Sequence, residues 1–128
     1  MMNLQTEQIR AMTLGADRVT EEKDGLRFHR FTEEQEAFYH ETSPEDFYIK
    51  TFATAGVGLA FRTDSRTISA RWTTTDRKPS THMTGLSQKG MDLYIKRDGE
   101  WVFAGIARPG LGADHKATLV EHMDGTEK

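Results

Sequence analysis

Residues able to carry acid–base or metal chemistry occur in this sequence, but their spacing predicts no metal site. Five histidines stand at positions 29, 40, 82, 115 and 122, and none shows the HxH or HxxxH spacing that brings two imidazoles onto one ion. No tight cluster of Asp and Glu completes a ligand set. The sequence therefore predicts neither a bound metal nor another cofactor.

Motifs for nucleophilic or phosphate chemistry are also missing. There is no Gly-x-Ser-x-Gly block. Gly56-Val57-Gly58 lies in a strand-like pattern and lacks the following helix that a phosphate cradle needs. Asp64-Ser65 is typical of a turn. We predict no catalytic residue, and an enzyme acting alone through Asp92, His82 or Asp64 is the least favoured interpretation.

A β-hairpin over residues 90–106, GMDLYIKRDGEWVFAGI, is the strongest candidate for a binding surface. Asp98-Gly99 is typical of a two-residue hairpin turn, because both central residues must tolerate a positive φ. That turn predicts a register with these cross-strand pairs: Arg97–Glu100, Lys96–Trp101, Ile95–Val102, Tyr94–Phe103, Leu93–Ala104, Asp92–Gly105 and Met91–Ile106.

This register separates two faces, since successive side chains of a strand point to opposite sides. One face is apolar and is predicted to lie in the core: Met91, Leu93, Ile95, Val102, Ala104 and Ile106. The other is mixed: Asp92, Tyr94, Lys96, Trp101, Phe103 and Gly105. Exposed rings of this kind stack on a sugar or dock another domain, and Lys96 over Trp101 makes a cation–π pair. Alternatively, the mixed face is a second, smaller core beneath a loop or helix.

One further candidate lies outside the hairpin. His82 falls in the long segment between Thr73 and Lys89, which carries no useful periodicity, and connections of that length are usually functional or mobile. A solvated loop histidine is the alternative. The candidate ligand-binding residues are thus Tyr94, Trp101, Phe103, Lys96, Asp92 and His82.

The elements that must position these residues are mostly strands. Apolar residues alternate with small or polar ones over 57–61 and again over 68–72, and these segments either pair with each other or lie in opposite sheets. Residues 116–123 form another plausible strand, followed by a turn at Asp124-Gly125 with no return strand. Either the tail after that turn is frayed or the chain is cut inside a domain. Asp24-Gly25 predicts a second hairpin turn; the faces do not separate in that register, and a longer loop is the alternative.

Helical signals are few and lie near the N-terminus. Residues 4–12 are long enough for one or two turns. Thr32 followed by Gln35 is a capping-box pair that predicts a short helix through Tyr39. Ser43-Pro44 is either an N-cap followed by Pro at the first helical position or a simple turn.

Composition excludes several classes of function. The 128 residues carry a formal charge of −3, with no basic excess to bind nucleic acid. There is no cysteine, which rules out disulfides and thiolate chemistry. No apolar run is long enough to span a bilayer, and MMNLQTEQIR lacks the apolar centre of a signal peptide, so we expect no membrane partner and a cytoplasmic location.

Three segments in order resemble the N-terminal β-sandwich domain of SGNH-type (GDSL-like) hydrolases, known by a Gly-x-Asp-Leu-Tyr motif. They are GLRFHRF at 25–31, AGVGLAFRTDS at 55–65 and GMDLY at 90–94, within a likeness over residues 15–109. Gly90, Asp92, Leu93 and Tyr94 match the motif, and residues 61–65 match the end of the preceding strand. With the strand pattern, this predicts an all-β fold: one jelly-roll-like antiparallel β-sandwich domain over 1–128, with one or two short helices near the N-terminus.

The resemblance also implies what the chain lacks. An SGNH hydrolase needs a Ser in a Gly-Asp-Ser-like block, a Gly and an Asn for its oxyanion hole, and Asp-x-x-His. The only Asn is Asn3, no Asp has a His three positions later, and Ser65 follows Thr63-Asp64. The resemblance therefore implies an accessory domain with a catalytic SGNH domain following it. Its expected role is to bind acylated carbohydrate or shape the approach of substrate; alternatively, it docks its aromatic face on a partner domain or on a second copy.

Overall fold

The computed structural model describes residues 3–75 and 80–128, which fall into two compact units that meet at Phe61 and Arg62 in the sequence. Strands dominate, and each strand pairing among these residues is antiparallel. The fold is all-β and sandwich-like with a few short helices, as predicted. The jelly-roll strand order and the single-domain boundary at 1–128 stay predictions.

The first unit contains three short helices and two small sheets. Its elements are α1 (Thr6–Met12), β1 (Thr13–Leu14), β2 (Arg18–Glu22), β3 (Gly25–His29), α2 (Glu33–Thr42), α3 (Glu45–Lys50) and β4 (Gly58–Leu59). Strand β1 pairs with β4, and β2 pairs with β3. The capping box is confirmed: Thr32 Oγ1 accepts from the Gln35 N–H at 3.1 Å, and Gln35 Oε1 accepts from the Thr32 N–H at 3.0 Å. Helix α3 begins one residue later than predicted, because Pro44 is its N-cap.

The turn of the β2–β3 hairpin was predicted one residue too late. Glu22 opposes Gly25, so the central turn residues are Lys23 and Asp24, not Asp24-Gly25. Gly25 follows the turn with φ +156°, a conformation that favours glycine. In the observed register Val19 faces Phe28 and Glu21 faces Leu26, so the three apolar side chains share one face with Glu21. The opposite face is polar and carries Arg18, Thr20, Arg27 and His29.

The second unit is built from two antiparallel ribbons. Its elements are β5 (Ile68–Thr73), α4 (Gly85–Lys89), β6 (Met91–Arg97), β7 (Glu100–Ala107) and β8 (Asp114–Val120), with β5 paired to β8 and β6 to β7. The apolar segments around 57–61 and 68–72 therefore belong to different pairings. Helix α4 lies in the segment predicted to be irregular, of which residues 76–79 are outside the described part of the chain. Within the described part, no helix combines the length and the apolarity needed to cross a membrane.

The predicted hairpin register is correct near the turn and wrong below it. Asp98 and Gly99 have φ of +49° and +81°, and the pairs from Arg97–Glu100 to Tyr94–Phe103 are as predicted. The register then shifts, because Ala104 is an extra residue on β7. The lower pairs are Leu93–Gly105, Asp92–Ile106 and Met91–Ala107, so Gly105 leaves the mixed face and Ile106 joins it.

The space between the two ribbons explains why Gly105 takes this position. A Cβ built on Gly105 would lie 2.0 Å from the carbonyl oxygen of Leu119 on β8. Only glycine therefore lets the two backbones approach this closely. Without the bulge, Ala104 would have to oppose Leu93 in the place that Gly105 occupies.

The prediction of a six-residue aliphatic core on the hairpin is also wrong in part. Leu93, Ile95 and Ala104 are half-buried, whereas Met91 and Val102 remain 38% and 45% exposed. Among the described residues the buried hydrophobic side chains are Ala107 and Met123. The aliphatic side of the hairpin is thus only partly covered, both at Met91, far from the turn, and at Val102, near it.

The residues after Asp124-Gly125 pair back on the chain and are not frayed. The Lys128 N–H donates to the Thr63 carbonyl at 2.9 Å, and the Thr63 N–H donates to the Lys128 carbonyl at 3.1 Å. Asp124 Oδ1 accepts from the Thr126 N–H at 3.0 Å, which closes the turn. The predicted strand before this turn ends earlier than expected, at Val120.

Candidate functional site

Four of the six predicted site residues share one exposed surface on the hairpin, which we call the aromatic face: Tyr94, Lys96, Trp101 and Phe103. Strand alternation and the pairs Tyr94–Phe103 and Lys96–Trp101 place them side by side. Tyr94, Phe103 and Trp101 are 50%, 58% and 64% exposed as residues. The alternative that this face forms a second core therefore does not hold within the described residues.

The rings of the aromatic face are held by contacts with each other. Tyr94 and Phe103 meet edge to face, with centroids 5.9 Å apart at 75°. Lys96 Nζ lies 5.7 Å from the centroid of the Trp101 ring, which confirms the predicted cation–π pair. No carboxylate of the described residues lies within ion-pair distance of Lys96. The face thus combines aromatic surface with an available cation.

Two residues of the Gly-x-Asp-Leu-Tyr segment, Gly90 and Leu93, pack inside the unit, and the other two, Asp92 and Tyr94, are exposed. A Cβ on Gly90 would lie 2.5 Å from Leu86 Cδ1 and 2.9 Å from the Ala107 carbonyl oxygen, so glycine is required for space. Leu93 is half-buried on the opposite side of the strand. Asp92 and Tyr94 are exposed, and the Asp92 carboxylate makes no hydrogen bond with residues 3–75 or 80–128. The two polar residues of the motif are therefore free to contact another molecule.

His82, the sixth candidate, is not brought to this surface by any contact. It lies exposed in a turn before α4, and no hydrogen bond, ion pair or ring contact joins it to the aromatic face within the described chain. The described part of the chain therefore gives His82 no place in the candidate site on the hairpin. No group of three His, Asp or Glu residues among those described is placed to hold a metal.

A buried polar network in the first unit was missed from the sequence. His29, 8% exposed, lies with Nδ1 2.8 Å from Glu36 Oε1 and with Nε2 2.9 Å from Thr20 Oγ1. Arg18 donates from Nη2 to Glu36 Oε2 at 2.8 Å and from Nη1 to the Phe31 carbonyl at 2.6 Å. Burial acts to raise the pKa of Glu36, but hydrogen bonds from His29 and Arg18 outweigh it and hold this pKa below its ordinary value.

The order of groups in this network is that of a hydrolytic triad: hydroxyl, imidazole, carboxylate. Two features indicate that this network has a structural role and not a catalytic one. Arg18 forms an ion pair with the same carboxylate, and His29 is too buried for a substrate carbonyl to reach. The network joins the β2–β3 hairpin to α2. The signal in the sequence was the polar face of that hairpin, which appears only when its turn is placed at Lys23-Asp24.

These observations define the class as an antiparallel β domain that displays an aromatic face beside a Gly-x-Asp-Leu-Tyr strand. The chain belongs to the GxDLY family, described as the N-terminus of Esterase_SGNH_hydro-type, whose model matches residues 6–128. The expected resemblance is therefore confirmed, and the chain is an N-terminal domain of the SGNH-hydrolase type.

A solved structure gives the same assignment. The crystal structure of a GDSL-like lipase from Bacteroides ovatus ATCC 8483 is 34% identical to this chain, with a TM-score of 0.70. The match covers 91% of this chain and 32% of that one, so the chain spans about a third of the length of this relative. No curated protein matches the chain.

Proposed function

We propose that the chain is the accessory domain of an SGNH-type hydrolase and that its aromatic face binds the carbohydrate part of an acylated substrate. The observation that carries the proposal is the exposure of Tyr94, Trp101 and Phe103 on one side of a ribbon. Flat rings stack against the apolar faces of sugars, and polar groups beside them fix orientation through the hydroxyls. Asp92, with no partner in the described chain, and Lys96 supply such groups.

The proposed partner of this domain is a catalytic SGNH domain in the same polypeptide. Support comes from the relative, a GDSL-like lipase of which this chain covers 32%. The sequence of this chain has no Gly-Asp-Ser-like block and no Asp-x-x-His. The aromatic face would hold substrate for the active site of that catalytic domain. We therefore predict that residues 1–128 alone do not hydrolyse acetyl esters.

Removal of the most exposed ring is expected to weaken glycan binding by about 30-fold, corresponding to about 2 kcal/mol for a central aromatic contact. Plant and bacterial glycans, acylated and deacylated, are first screened on an array, and the strongest ligand is measured by calorimetry with wild type and Trp101→Ala. Phe103→Ala and Phe38→Ala form a matched pair, since both side chains are 58% exposed but Phe38 lies on α2. Phe103→Ala is expected to weaken binding and Phe38→Ala to leave it unchanged.

Two results would remove the carbohydrate role. One is the absence of binding by wild type across the array. The other is an equal loss of affinity in the Phe38→Ala and Phe103→Ala proteins, since a specific site on the hairpin cannot depend on a ring of α2 to the same degree.

Docking on a protein surface is the second candidate, and a separate observation favours it. Trp101 and Val102 are neighbours that point to opposite sides of β7, yet they are 64% and 45% exposed. A hairpin that is partly exposed on both sides near its turn suits docking on a partner or on a second copy.

Self-association separates the two candidates. If the face docks on a second copy, sedimentation velocity is expected to show a dimer in wild type and a monomer in Trp101→Ala. Iodide quenching then reports Trp101 as shielded, with Trp101→Phe used to subtract the signal of Trp72. A monomer whose Trp101 is fully quenched would exclude docking between copies.

A further inference from the structure

The first unit contains a small pocket. Its lining residues are distant in sequence from the aromatic face, and the two share no residue. Three aromatic walls come from the residue pair after β3, from α2 and from α3: Phe31, Tyr39 and Phe47. Their centroids are separated by 5.8 Å (Phe31–Tyr39) and 5.5 Å (Tyr39–Phe47). Arg30, Lys50 and the buried Thr51 complete a lining around about 160 Å³.

Within residues 3–75 and 80–128, the two basic residues of this pocket have no acidic partner. The ion pairs of the described residues involve neither Arg30 nor Lys50, although the whole chain is acidic with a charge of −3. The guanidinium carbon of Arg30 lies 5.3 Å from the Phe31 ring centroid, and Nη2 donates to the Lys50 carbonyl at 3.4 Å. Two neighbouring cations are thus held at an aromatic pocket without compensation.

One donor of the pocket is buried and unused. Arg30 Nε is inaccessible to solvent and has no hydrogen-bond partner among the described residues. Buried donors are nearly always satisfied in native proteins, and an exception calls for a specific explanation. An acceptor in the pocket could reach this atom only if the Arg30 side chain shifts as the ligand enters, so the unused donor shows that the guanidinium has hydrogen-bonding capacity left over.

We propose that this pocket binds a small carboxylate carried on a single ring. A cavity of about 150 Å³ lined by apolar side chains holds benzene, so the observed volume suits one six-membered ring. A planar carboxylate matches the fork of an arginine, and Lys50 adds a second positive charge beside it. The ring would contact Phe31, Tyr39 and Phe47 while the carboxylate meets Arg30.

Benzoate is the probe, followed by two-dimensional amide NMR of the whole chain. A ligand of about nine non-hydrogen atoms is expected to bind with a Kd of about 1 mM. The expected result is saturable shifts in the amides of Arg30, Lys50 and Thr51. Acetate, which lacks the ring, and benzamide, which lacks the charge, are each expected to bind at least about 5-fold more weakly.

The variants test the cations directly. Lys50→Met keeps the length of an exposed side chain and is expected to weaken benzoate by about 5-fold, while Arg30→Met is expected to abolish saturable binding. Arg27→Met is the matched control: Arg27 also lies over a ring, 5.5 Å from Phe52, but is already paired with Glu22 at 3.3 Å. It is expected to leave benzoate affinity unchanged.

Several outcomes would overturn the assignment. Absence of saturable shifts with benzoate removes the site. Equal binding of acetate reduces it to a surface anion contact, and equal binding of benzamide reduces it to an apolar pocket. Should Arg30→Met fail to fold, Lys50→Met decides, because an unchanged benzoate affinity in that protein contradicts the role given to the basic residues.

Discussion

Replacement of Gly105 with alanine is expected to destabilise the second unit by about 3 kcal/mol or more, at the upper end of overpacking effects. The added Cβ would lie 2.0 Å from the Leu119 carbonyl oxygen and 3.0 Å from its carbon. These are backbone atoms of β8, which cannot rotate away as a side chain would. The strain would separate β7 from β8, and β7 carries Trp101 and Phe103 of the aromatic face.

Urea unfolding followed by tryptophan fluorescence measures this effect, because Trp72 and Trp101 both belong to the second unit. Gly112→Ala is the control. A Cβ on Gly112 meets no atom within 4 Å, and its backbone does not need glycine, so a change within about 0.5 kcal/mol is expected. If the Gly105→Ala and Gly112→Ala proteins unfold at the same urea concentration, the close approach of β7 to β8 at Gly105 is contradicted.

Much of the hairpin was predictable because its determinants are local. Asp98-Gly99 fixes a tight turn, and the alternation of side chains fixes the face of each residue within about four positions of it. The predicted register is wrong from Ala104 onward, because the bulge there depends on the neighbouring strand β8. The Leu119 carbonyl that excludes a side chain at Gly105 belongs to another strand, and no local sequence pattern predicts this contact.

The first unit shows the same limit at its turn. Asp24-Gly25 has the composition of a hairpin turn, yet Lys23-Asp24 forms it. What selects the observed register is tertiary: it places His29 and Thr20 on the face where Glu36 of α2 completes their hydrogen bonds. The capping box at Thr32 fixed the start of α2, but not which hairpin face the helix would meet.

The candidate sites divide in the same way. The aromatic face was found because all its members belong to one hairpin and alternate along it. The pocket around Arg30 was not, since its lining comes from the two residues after β3, from α2, and from α3 with the residue after it, and only folding brings these segments together. A family motif gave no help there, because the Gly-x-Asp-Leu-Tyr segment lies in the other unit.

Glu36→Gln is expected to lower the unfolding free energy of the first unit by about 3 kcal/mol at neutral pH. The substitution removes the charge that compensates Arg18, whose side chain is only 23% exposed, and weakens the bond to His29. Burial alone would lower the pKa of Arg18, but its hydrogen bond and ion pair with Glu36 raise it, so Arg18 stays charged and would be left facing a neutral amide. Asp17 and Glu33 are 3.6 and 3.8 Å away and compensate only in part.

The same carboxylate sets a pH dependence whose sign follows from its lowered pKa. Glu36 is held below its ordinary value of 4.5, so the folded form binds this proton less readily than the unfolded form. Its contribution to stability is therefore complete above pH 4.5 and is lost as pH falls below that value through the lowered pKa. The difference between wild type and Glu36→Gln should accordingly be large at pH 7 and shrink on acidification.

Far-UV circular dichroism during urea unfolding measures both effects, because α1, α2 and α3 all lie in this unit. Glu34→Gln is the matched control, since it removes a charge from the same first turn of α2 and costs only the helix-dipole contribution of about 0.3–1 kcal/mol. Were Glu36→Gln no more damaging than Glu34→Gln, or were its effect independent of pH between 3 and 7, the buried network would not hold the hairpin to the helix. Because Arg30 and Phe31 follow His29 directly and Tyr39 lies one turn beyond Glu36, loss of this link should also weaken benzoate binding at the pocket.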